Sequence, residues 1–429
     1  MEGILSIFVL FVSIIVITET LNEKMLKIPN NIALLIVSFF ISVMLLLGVK
    51  FNIIDNEFFL VTKLNSLRID EVLLDGFLCF MLFAGASKMQ FSKFVSNMKS
   101  IASLSLLTTI ICSIVYGCIL YVIAYAIHLP ITYWSCMLLG AILSPTDPIA
   151  VTGKLEKLGL SKSVKSVIEG ESLFNDGMGI AVFIFVKNMI THVNDQNFIL
   201  IVLQNIFGAI FVSFVISWLL FKVLRLTKNP YMHILISLLD VSLCYIICKT
   251  FGFSGIVASA ICGIYFSYQN KKCERWRAVV DSNNLYNDFW NIIDEFLNGI
   301  MFVFIGLTVV TLPFDISLWF LIPIAIIVNI VSRFFGVFYS CLLVGKKNLP
   351  GKYDISGFTS LMTLCTLRGG VSLAMALSVA SIVNAKEYII IVNITMITIL
   401  FTVIVQGLLT PVVYKKIEKE ILQTALVKK

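Results

Sequence analysis

The chain has 429 residues, of which 59% are hydrophobic and 13% are charged, and its formal net charge is +7. Soluble domains carry about 25% charged residues, so this composition and a mean hydropathy of +0.98 exclude a soluble protein. We expect an all-α polytopic membrane protein. Its basic residues follow a topological pattern, described below, and we expect no nucleic-acid partner.

Apolar stretches long enough to cross a bilayer, about 20 residues each, recur along the whole chain. The sequence predicts thirteen such spans, at about 3–20, 31–49, 72–87, 100–127, 131–152, 166–190, 197–221, 231–249, 252–268, 285–311, 315–343, 358–382 and 387–413. No basic segment precedes the first span and no small-residue cleavage site follows it. We therefore expect it to stay as a membrane helix rather than to be removed as a signal peptide.

The loops between these spans differ in basic residues. If the N-terminus lies outside, the cytoplasmic loops hold 24 Lys and Arg residues and the outer loops hold 6. Cytoplasmic loops are normally the more basic ones. The sequence thus predicts an outside N-terminus and a cytoplasmic C-terminus in the cell (inner) membrane. The two remaining basic residues, Arg333 and Arg368, lie within predicted spans.

An odd number of spans permits an inverted repeat. Spans 1–6 and 8–13 form two six-helix halves of opposite orientation, joined by the seventh span. Spans 5 and 12 are both interrupted near their middle, by Pro145 and Pro148 in one and by Gly369-Gly370 in the other. Inverted repeats with broken helices at mid-membrane are typical of secondary transporters. The symmetry is one of pattern, because the letters do not repeat.

The sixth span carries four polar residues on one helix face. Glu171 and Asn175 are four residues apart, as are Ser172 and Asp176, and Ser172 and Asn175 are three apart. Two carboxylates, a hydroxyl and an amide are therefore neighbours on the helix. A solvated patch at a helix end is the plain alternative. Acids inside a membrane are usually functional, and Asp176 lies more than a turn deeper than Glu171. We therefore expect this face to be functional, with Asp176 as its more deeply buried acid.

The fifth span contains Ser144-Pro145-Thr146-Asp147-Pro148. A residue before proline is disfavoured in helical geometry, so carbonyls around Thr146 lose their helical partners and become available to a cation. The Thr146 hydroxyl adds an oxygen, and Asp147 can offset the positive end of the second half-helix. Thr-Asp-Pro also occurs as an ordinary helix cap, and only its place in an apolar span favours an ion site here.

Two arginines within spans need partners. For Arg333 we predict Glu171, the alternative being that its side chain reaches the cytoplasmic interface. For Arg368 the candidates are Asp147 and the exposed carbonyls of the fifth span, or a structural role in the crossing.

Other polar residues are assigned smaller roles. Asp75 and Asp240 are intramembrane acids without obvious neighbours, and Asp294 and Glu295 are interpreted as serving the N-terminal end of the tenth span. The ten cysteines predict neither disulfides nor a metal site. We expect no enzymatic activity and no cofactor.

Together these motifs resemble those of the monovalent cation:proton antiporter-1 family, the bacterial and archaeal sodium/proton antiporters related to animal sodium/proton exchangers. The likeness covers essentially the whole chain. It rests on Ser-Pro-Thr-Asp-Pro, Glu-Ser-Leu-Phe-Asn-Asp-Gly, the Ser-Arg of the eleventh span and the Leu-Arg-Gly-Gly-Val of the twelfth. Some relatives place an acid in the third helix, whereas Phe83-Ala84-Gly85-Ala86 has none.

The resemblance implies a homodimer in which a core bundle moves against an interface domain. The corresponding segments are interface helices at about 1–87 and 231–311, core helices at about 100–190 and 315–413, and a linker at about 197–221. It further implies that Asp176 binds proton and Na⁺ alternately, with Ser172 and Thr146 as additional ligands. Glu171 and Arg333 match its buried ion pair, and Asn175 matches a supporting amide that accompanies electroneutral one-for-one exchange.

The predicted function is exchange of cytoplasmic Na⁺ (or Li⁺) for external protons, which serves pH and sodium homeostasis. A carboxylate in a low-dielectric site can hold a proton or a cation but not both. Three alternatives remain: K⁺/H⁺ exchange by the same mechanism, a cation channel, and an intramembrane aspartyl protease using Asp147 and Asp176. The protease lacks a Gly-x-Gly-Asp string and gives the arginines no role.

Overall fold

A computed structural model describes residues 2–51, 72–191, 198–227, 229–272, 284–309, 320–351 and 353–427. Within these ranges the regular structure is helical, and the one β-type pairing is an isolated bridge between Asp147 and Leu367. The all-helical class expected from the composition is confirmed.

The described residues form eighteen α-helices, some extended by short π- or 3₁₀-helical turns. They are α1 (Glu2–Leu21), α2 (Asn30–Lys50), α3 (Leu78–Lys88), α4 (Phe91–Ser96), α5 (Met98–Ser103), α6 (Thr109–Ala126), α7 (Tyr133–Ile142), α8 (Ile149–Lys157), α9 (Lys162–Ile190), α10 (Phe198–Leu226), α11 (Pro230–Thr250), α12 (Gly255–Lys272), α13 (Leu285–Thr308), α14 (Leu321–Val344), α15 (Ile355–Cys365), α16 (Gly370–Ser378), α17 (Ala385–Leu400) and α18 (Gly407–Val427).

Nine helical segments among the described residues are long and apolar enough to cross a membrane, and four shorter apolar helices accompany them. Every predicted span overlaps a described helix, although the count of thirteen crossings stays a prediction. Large apolar side chains face outward, for example Phe211 and Leu343, each 71% exposed. An apolar outer surface of this kind suits contact with lipid rather than water.

The helices pack in two groups. In the first group, α2 packs on α13, α3 packs on α12, and α10 packs on α11 and α12. Helix α10 covers the predicted linker at about 197–221, and its contacts place it in this group. In the second, α6 packs on α7 and α14, and α7 on α9, α16 and α17. The groups meet where α9 contacts α3 and α12, and where α13 contacts α16.

Two breaks meet in the second group. The chain leaves helical geometry between Ile142 and Ile149, and again between Cys365 and Gly370. The two extended segments cross, and the Asp147 amide donates to the Leu367 carbonyl at 2.8 Å. The interruptions in predicted spans 5 and 12 therefore lie side by side.

Helix α9 approaches this crossing closely at Gly179. A Cβ at that position would lie 2.5 Å from Cγ of Pro145, closer than non-bonded carbons can come. The absence of a side chain lets α9 run directly against the broken helix, and this contact brings the polar face of α9 to the crossing.

Candidate functional site

The polar face of α9 lines a cavity from its mouth to its floor. The helix begins after Ser161, whose hydroxyl accepts from the Val164 amide at 3.3 Å. Lys165, Glu169, Ser172 and Asp176 then follow at intervals of three to four residues, and all of them line a cavity of about 290 Å³. This spacing puts one polar residue on the same helix face at each turn.

Asp176 lies deepest in this series. Its residue is 9% exposed, and Thr146, Asp147 and Ser172 line the cavity beside it. Asp147 lines the same cavity, and Glu171 lies on the same helix as Asp176. Ionised carboxylates grouped in a low-dielectric region repel one another, so a positive charge placed here would relieve that repulsion.

Asp147 lies near the end of the break in the fifth predicted span, two residues before the start of α8. Its Oδ1 accepts from the amide of Ile149, the first residue of α8, at 2.9 Å. Its Oδ2 is buried and has no hydrogen-bond partner among the described residues. A buried carboxylate oxygen without a donor is costly, so this oxygen is available to a ligand.

The carbonyls freed by the prolines are occupied in this conformation. Arg368 Nη1 donates to the carbonyls of Ser144 and Pro145, at 2.9 and 3.0 Å. The Ser172 hydroxyl donates to the Thr146 carbonyl at 2.7 Å. The expectation that these carbonyls are free for a cation is therefore corrected, because side chains have taken the place of the lost helical donors.

Arg368 holds the crossing together and is 2% exposed. Of the partners considered from sequence, it contacts the carbonyls rather than the Asp147 carboxylate. Its Nε and Nη2 also donate to Oδ1 of Asn329, at 3.2 and 2.9 Å. The guanidinium thus supplies positive charge and hydrogen-bond donors to the carbonyls that follow the end of α7.

A second buried network lies one turn from Asp176. Arg333 Nη2 contacts Glu171 Oε1 at 2.9 Å, and the two side chains are 2% and 1% exposed. Asn175 Nδ2 donates to the same oxygen at 2.9 Å and also contacts the Thr146 hydroxyl. The Thr146 hydroxyl contacts Glu171 Oε2 at 3.5 Å. This network ties α9 to α14 and to the broken helix.

Residues of the last predicted span also support the crossing and were missed from sequence. Gln406 Nε2 donates to the carbonyls of Thr363, Leu364 and Thr366, where α15 ends. The Thr402 hydroxyl accepts from the Arg368 amide at 3.1 Å. Polar residues at 402, 406 and 410 of an apolar span were the available signal.

The mouth of the cavity is charged. Lys88, Lys165, Glu169 and Asp294 line it. Asp294 was assigned to the start of its helix, which is wrong: α13 begins at Leu285, so Asp294 lies more than two turns inside. It sits on the wall opposite α9, where its Oδ2 contacts Lys88 Nζ at 2.9 Å.

Asp240, the other buried acid considered from the sequence, lies outside the lining of this cavity. Asp240 is fully buried, and its carboxylate contacts the Ser217 hydroxyl at 2.7 Å and Cys244 Sγ at 3.5 Å. The structure adds Cys262 to this group, within 4.8 Å. Among the described residues the group offers three ligands, fewer than the four of a structural zinc site. The Asp75 side chain falls outside the described residues.

A helical membrane protein whose two interrupted helices cross beside buried carboxylates has the architecture of a secondary ion transporter. The comparisons with known proteins specify which one. The family model described as "Sodium/hydrogen exchanger, transmembrane" matches residues 7–416. The chain belongs to this sodium/hydrogen exchanger family, whose members are antiporters rather than enzymes.

Similar proteins include the Na⁺/H⁺ antiporter NhaP of Pseudomonas aeruginosa, which is 28% identical over 93% of each chain. An antiporter of Bacillus pumilus named for sodium, potassium, lithium and rubidium is 28% identical over 66% of this chain and 45% of its own. The sodium proton antiporter MjNhaP1 of Methanocaldococcus jannaschii, solved at pH 8, superposes with a TM-score of 0.72 at 21% identity, covering 98% of this chain and 99% of that one. At that identity the match supports the fold.

Proposed function

We propose that this protein exchanges cytoplasmic Na⁺ (or Li⁺) for external H⁺, one for one, because both compete for Asp176. The observation that carries the proposal is the position of Asp176 at the floor of a cavity whose charged mouth opens beside Lys88 and Lys165. Those lysines belong to loops predicted to be cytoplasmic. The conformation is therefore assigned as inward-facing.

The ligands around Asp176 suit a hard monovalent cation. Its carboxylate, the Ser172 hydroxyl and the Thr146 hydroxyl are the proposed Na⁺ ligands. Asp147, whose Oδ2 has no hydrogen-bond partner among the described residues, lines the same cavity. Oxygen donors of this type are those that hard cations prefer. Glu171, Asn175, Arg333 and Arg368 are proposed to position these ligands through the hydrogen bonds described above.

The charges at the site support a one-for-one ratio. When all are ionised, the site has three carboxylates (Asp147, Glu171 and Asp176) and two guanidiniums (Arg333 and Arg368). One unit of negative charge remains. A single Na⁺ or a single proton neutralises it, whereas the empty site would carry net charge through a low-dielectric region at high cost. Only the loaded forms cross, so uptake of one ion is coupled to release of the other.

The proposed movement follows the two helix groups. The core, at about 100–190 and 315–413, is proposed to move against the interface helices at about 1–87 and 231–311, with 197–221 as linker. We further propose a homodimer in the cell (inner) membrane, with the N-terminus outside and the C-terminus cytoplasmic. In the cell such exchange would serve sodium and pH homeostasis.

The experiment is cation-driven proton movement in proteoliposomes, compared between the wild type, Asp176→Asn and Asp240→Asn. The second variant is a matched control, since Asp240 is a buried aspartate outside the cavity. Asp176→Asn is expected to abolish exchange and Asp240→Asn to retain it. In the wild type, the apparent KM for Na⁺ should rise as the pH falls, because protons compete for the site. The rise should approach about tenfold for each unit of pH once the site is mostly protonated. Exchange by a folded Asp176→Asn protein would refute the assignment.

Potassium/proton exchange is the second candidate, favoured by the potassium in the name of the Bacillus pumilus relative. The same vesicles tested with Na⁺, Li⁺ and K⁺ in turn separate the two. A cation channel would show conductance far above transporter turnover in a planar bilayer.

A further inference from the structure

The wall of the cavity formed by α3 and α13 is largely apolar. Leu78, Met81, Leu82, Met89 and Met301 line it. Among the described residues, the charged ones that this wall contributes are Lys88 and Asp294, which form an ion pair at the mouth with N···O at 2.9 Å. The pair lies where an ion leaves bulk water, and its side chains remain 30% and 19% exposed.

Asp294 is held in a fixed orientation. Asn298 Nδ2, one turn further along α13, donates to Asp294 Oδ1 at 2.9 Å. Lys88 Nζ occupies Oδ2. The ammonium group is itself a monovalent cation, and it occupies the carboxylate oxygen that an entering metal ion would need.

We propose that Asp294 is a transient ligand for the entering cation and that Lys88 competes with that cation, so that this pair sets the apparent cation affinity. The inference rests on the proposed function, and it adds a residue from the wall opposite Asp176. A carboxylate at a narrow mouth raises the local cation concentration. A paired lysine offsets that effect until it is displaced.

The test is the initial exchange rate against Na⁺ concentration at fixed pH and low ionic strength, for Asp294→Asn, Lys88→Gln and the double variant. Partly exposed ion pairs are worth little, so the expected shifts are about twofold to fivefold. Asp294→Asn should raise the apparent KM and Lys88→Gln should lower it, with maximal rates near the wild type. In the Asp294→Asn background, Lys88→Gln should have no further effect. Both shifts should shrink as added choline chloride screens the mouth.

Three controls separate this role from a structural one. Glu418→Gln removes the same charge from α18, outside the cavity lining, and should leave KM unchanged. Asp294→Glu keeps the charge and should keep the KM near the wild type. Thermal unfolding of each variant in detergent reports stability; if Asp294→Asn does not fold, the fall in KM of Lys88→Gln remains the deciding result.

Two results would overturn the inference. One is an unchanged KM in Asp294→Asn and Lys88→Gln while both unfold at a lower temperature, since the pair would then only stabilise the helices. The other is a Lys88→Gln effect that persists without Asp294. Both differ from failure of the proposed function, which would appear as absence of exchange in the wild type.

Discussion

The buried pair between Glu171 and Arg333 allows a quantitative prediction about stability. Its atoms are 2.9 Å apart and both side chains are almost completely buried. Removing one partner of such a pair leaves the other charged and uncompensated, which costs about 3–5 kcal/mol. Glu171→Gln should be the worse single change, because Nε and Nη1 of Arg333 already have no hydrogen-bond partner among the described residues. Arg333→Met leaves Glu171 with Asn175 and Thr146.

The double variant Glu171→Gln/Arg333→Met removes both charges together. It should therefore lose less stability than the sum of the two single losses, by up to about 3 kcal/mol, the usual range for residues in contact. Equilibrium unfolding by denaturant in detergent, followed by intrinsic fluorescence, measures the free energy of unfolding of the wild type, the two single variants and the double variant. The comparison requires that the free energy of unfolding depends on denaturant concentration with the same slope in all four proteins.

A surface pair provides the matched control. Lys165 Nζ lies 2.7 Å from Glu156 Oε2, but these side chains are 30% and 48% exposed. Although its atoms are closer, this ion pair should contribute only about 0–1 kcal/mol to the free energy of unfolding, because solvent screens the attraction between its charges. Additive losses at Glu171 and Arg333, or losses no larger than those of the surface pair, would refute the reasoning.

Two further predictions concern the crossing. Arg368→Gln removes the donors to the carbonyls of Ser144 and Pro145, and charged hydrogen bonds of this kind are worth about 1.5–3 kcal/mol, which corresponds to a fall in exchange in proteoliposomes of at least about tenfold. The unfolding temperature should also drop. Wild-type exchange rates would contradict the role assigned to Arg368. Gly179→Val places a branched side chain against Pro145 and should lower both yield and exchange, whereas Gly153→Ala on α8, which has open space, should lower neither; equal effects of the two would show that the close approach is unimportant.

Local patterns in the sequence predict much of this architecture. Length and hydropathy indicate helices, and prolines or paired glycines within an apolar span mark the two breaks. The spacing of Glu171, Ser172, Asn175 and Asp176 is sufficient to put them on one helix face, because helical geometry is fixed over so short a distance. Their roles in ion binding remain proposals that the transport assay must test.

The contacts that local patterns do not predict join distant segments. Lys88 and Asp294 are 206 residues apart, and Arg368 lies 223 residues from Pro145. Sequence showed that Arg368 needed a partner, but the choice between Asp147 and the carbonyls depended on how two broken helices cross. The predicted tenth span already begins at residue 285, so the position of Asp294 inside it was visible in the sequence, but its partner Lys88 was not.

The two walls of the cavity differ in a way that bears on how an ion crosses. Thr146, Asp147, Ser172 and Asp176 all belong to the group of helices that contains the crossing, whereas the facing wall is apolar apart from its mouth. The Asp147–Leu367 and Arg368 hydrogen bonds join both broken helices into one unit with the proposed ligands. In the proposed mechanism a rigid displacement of that unit carries the ion with its coordination intact, because none of the ligands proposed around Asp176 belongs to the described residues of the opposite wall. The same displacement separates the ion from Asp294, so the role proposed for Asp294 is limited to entry of the cation.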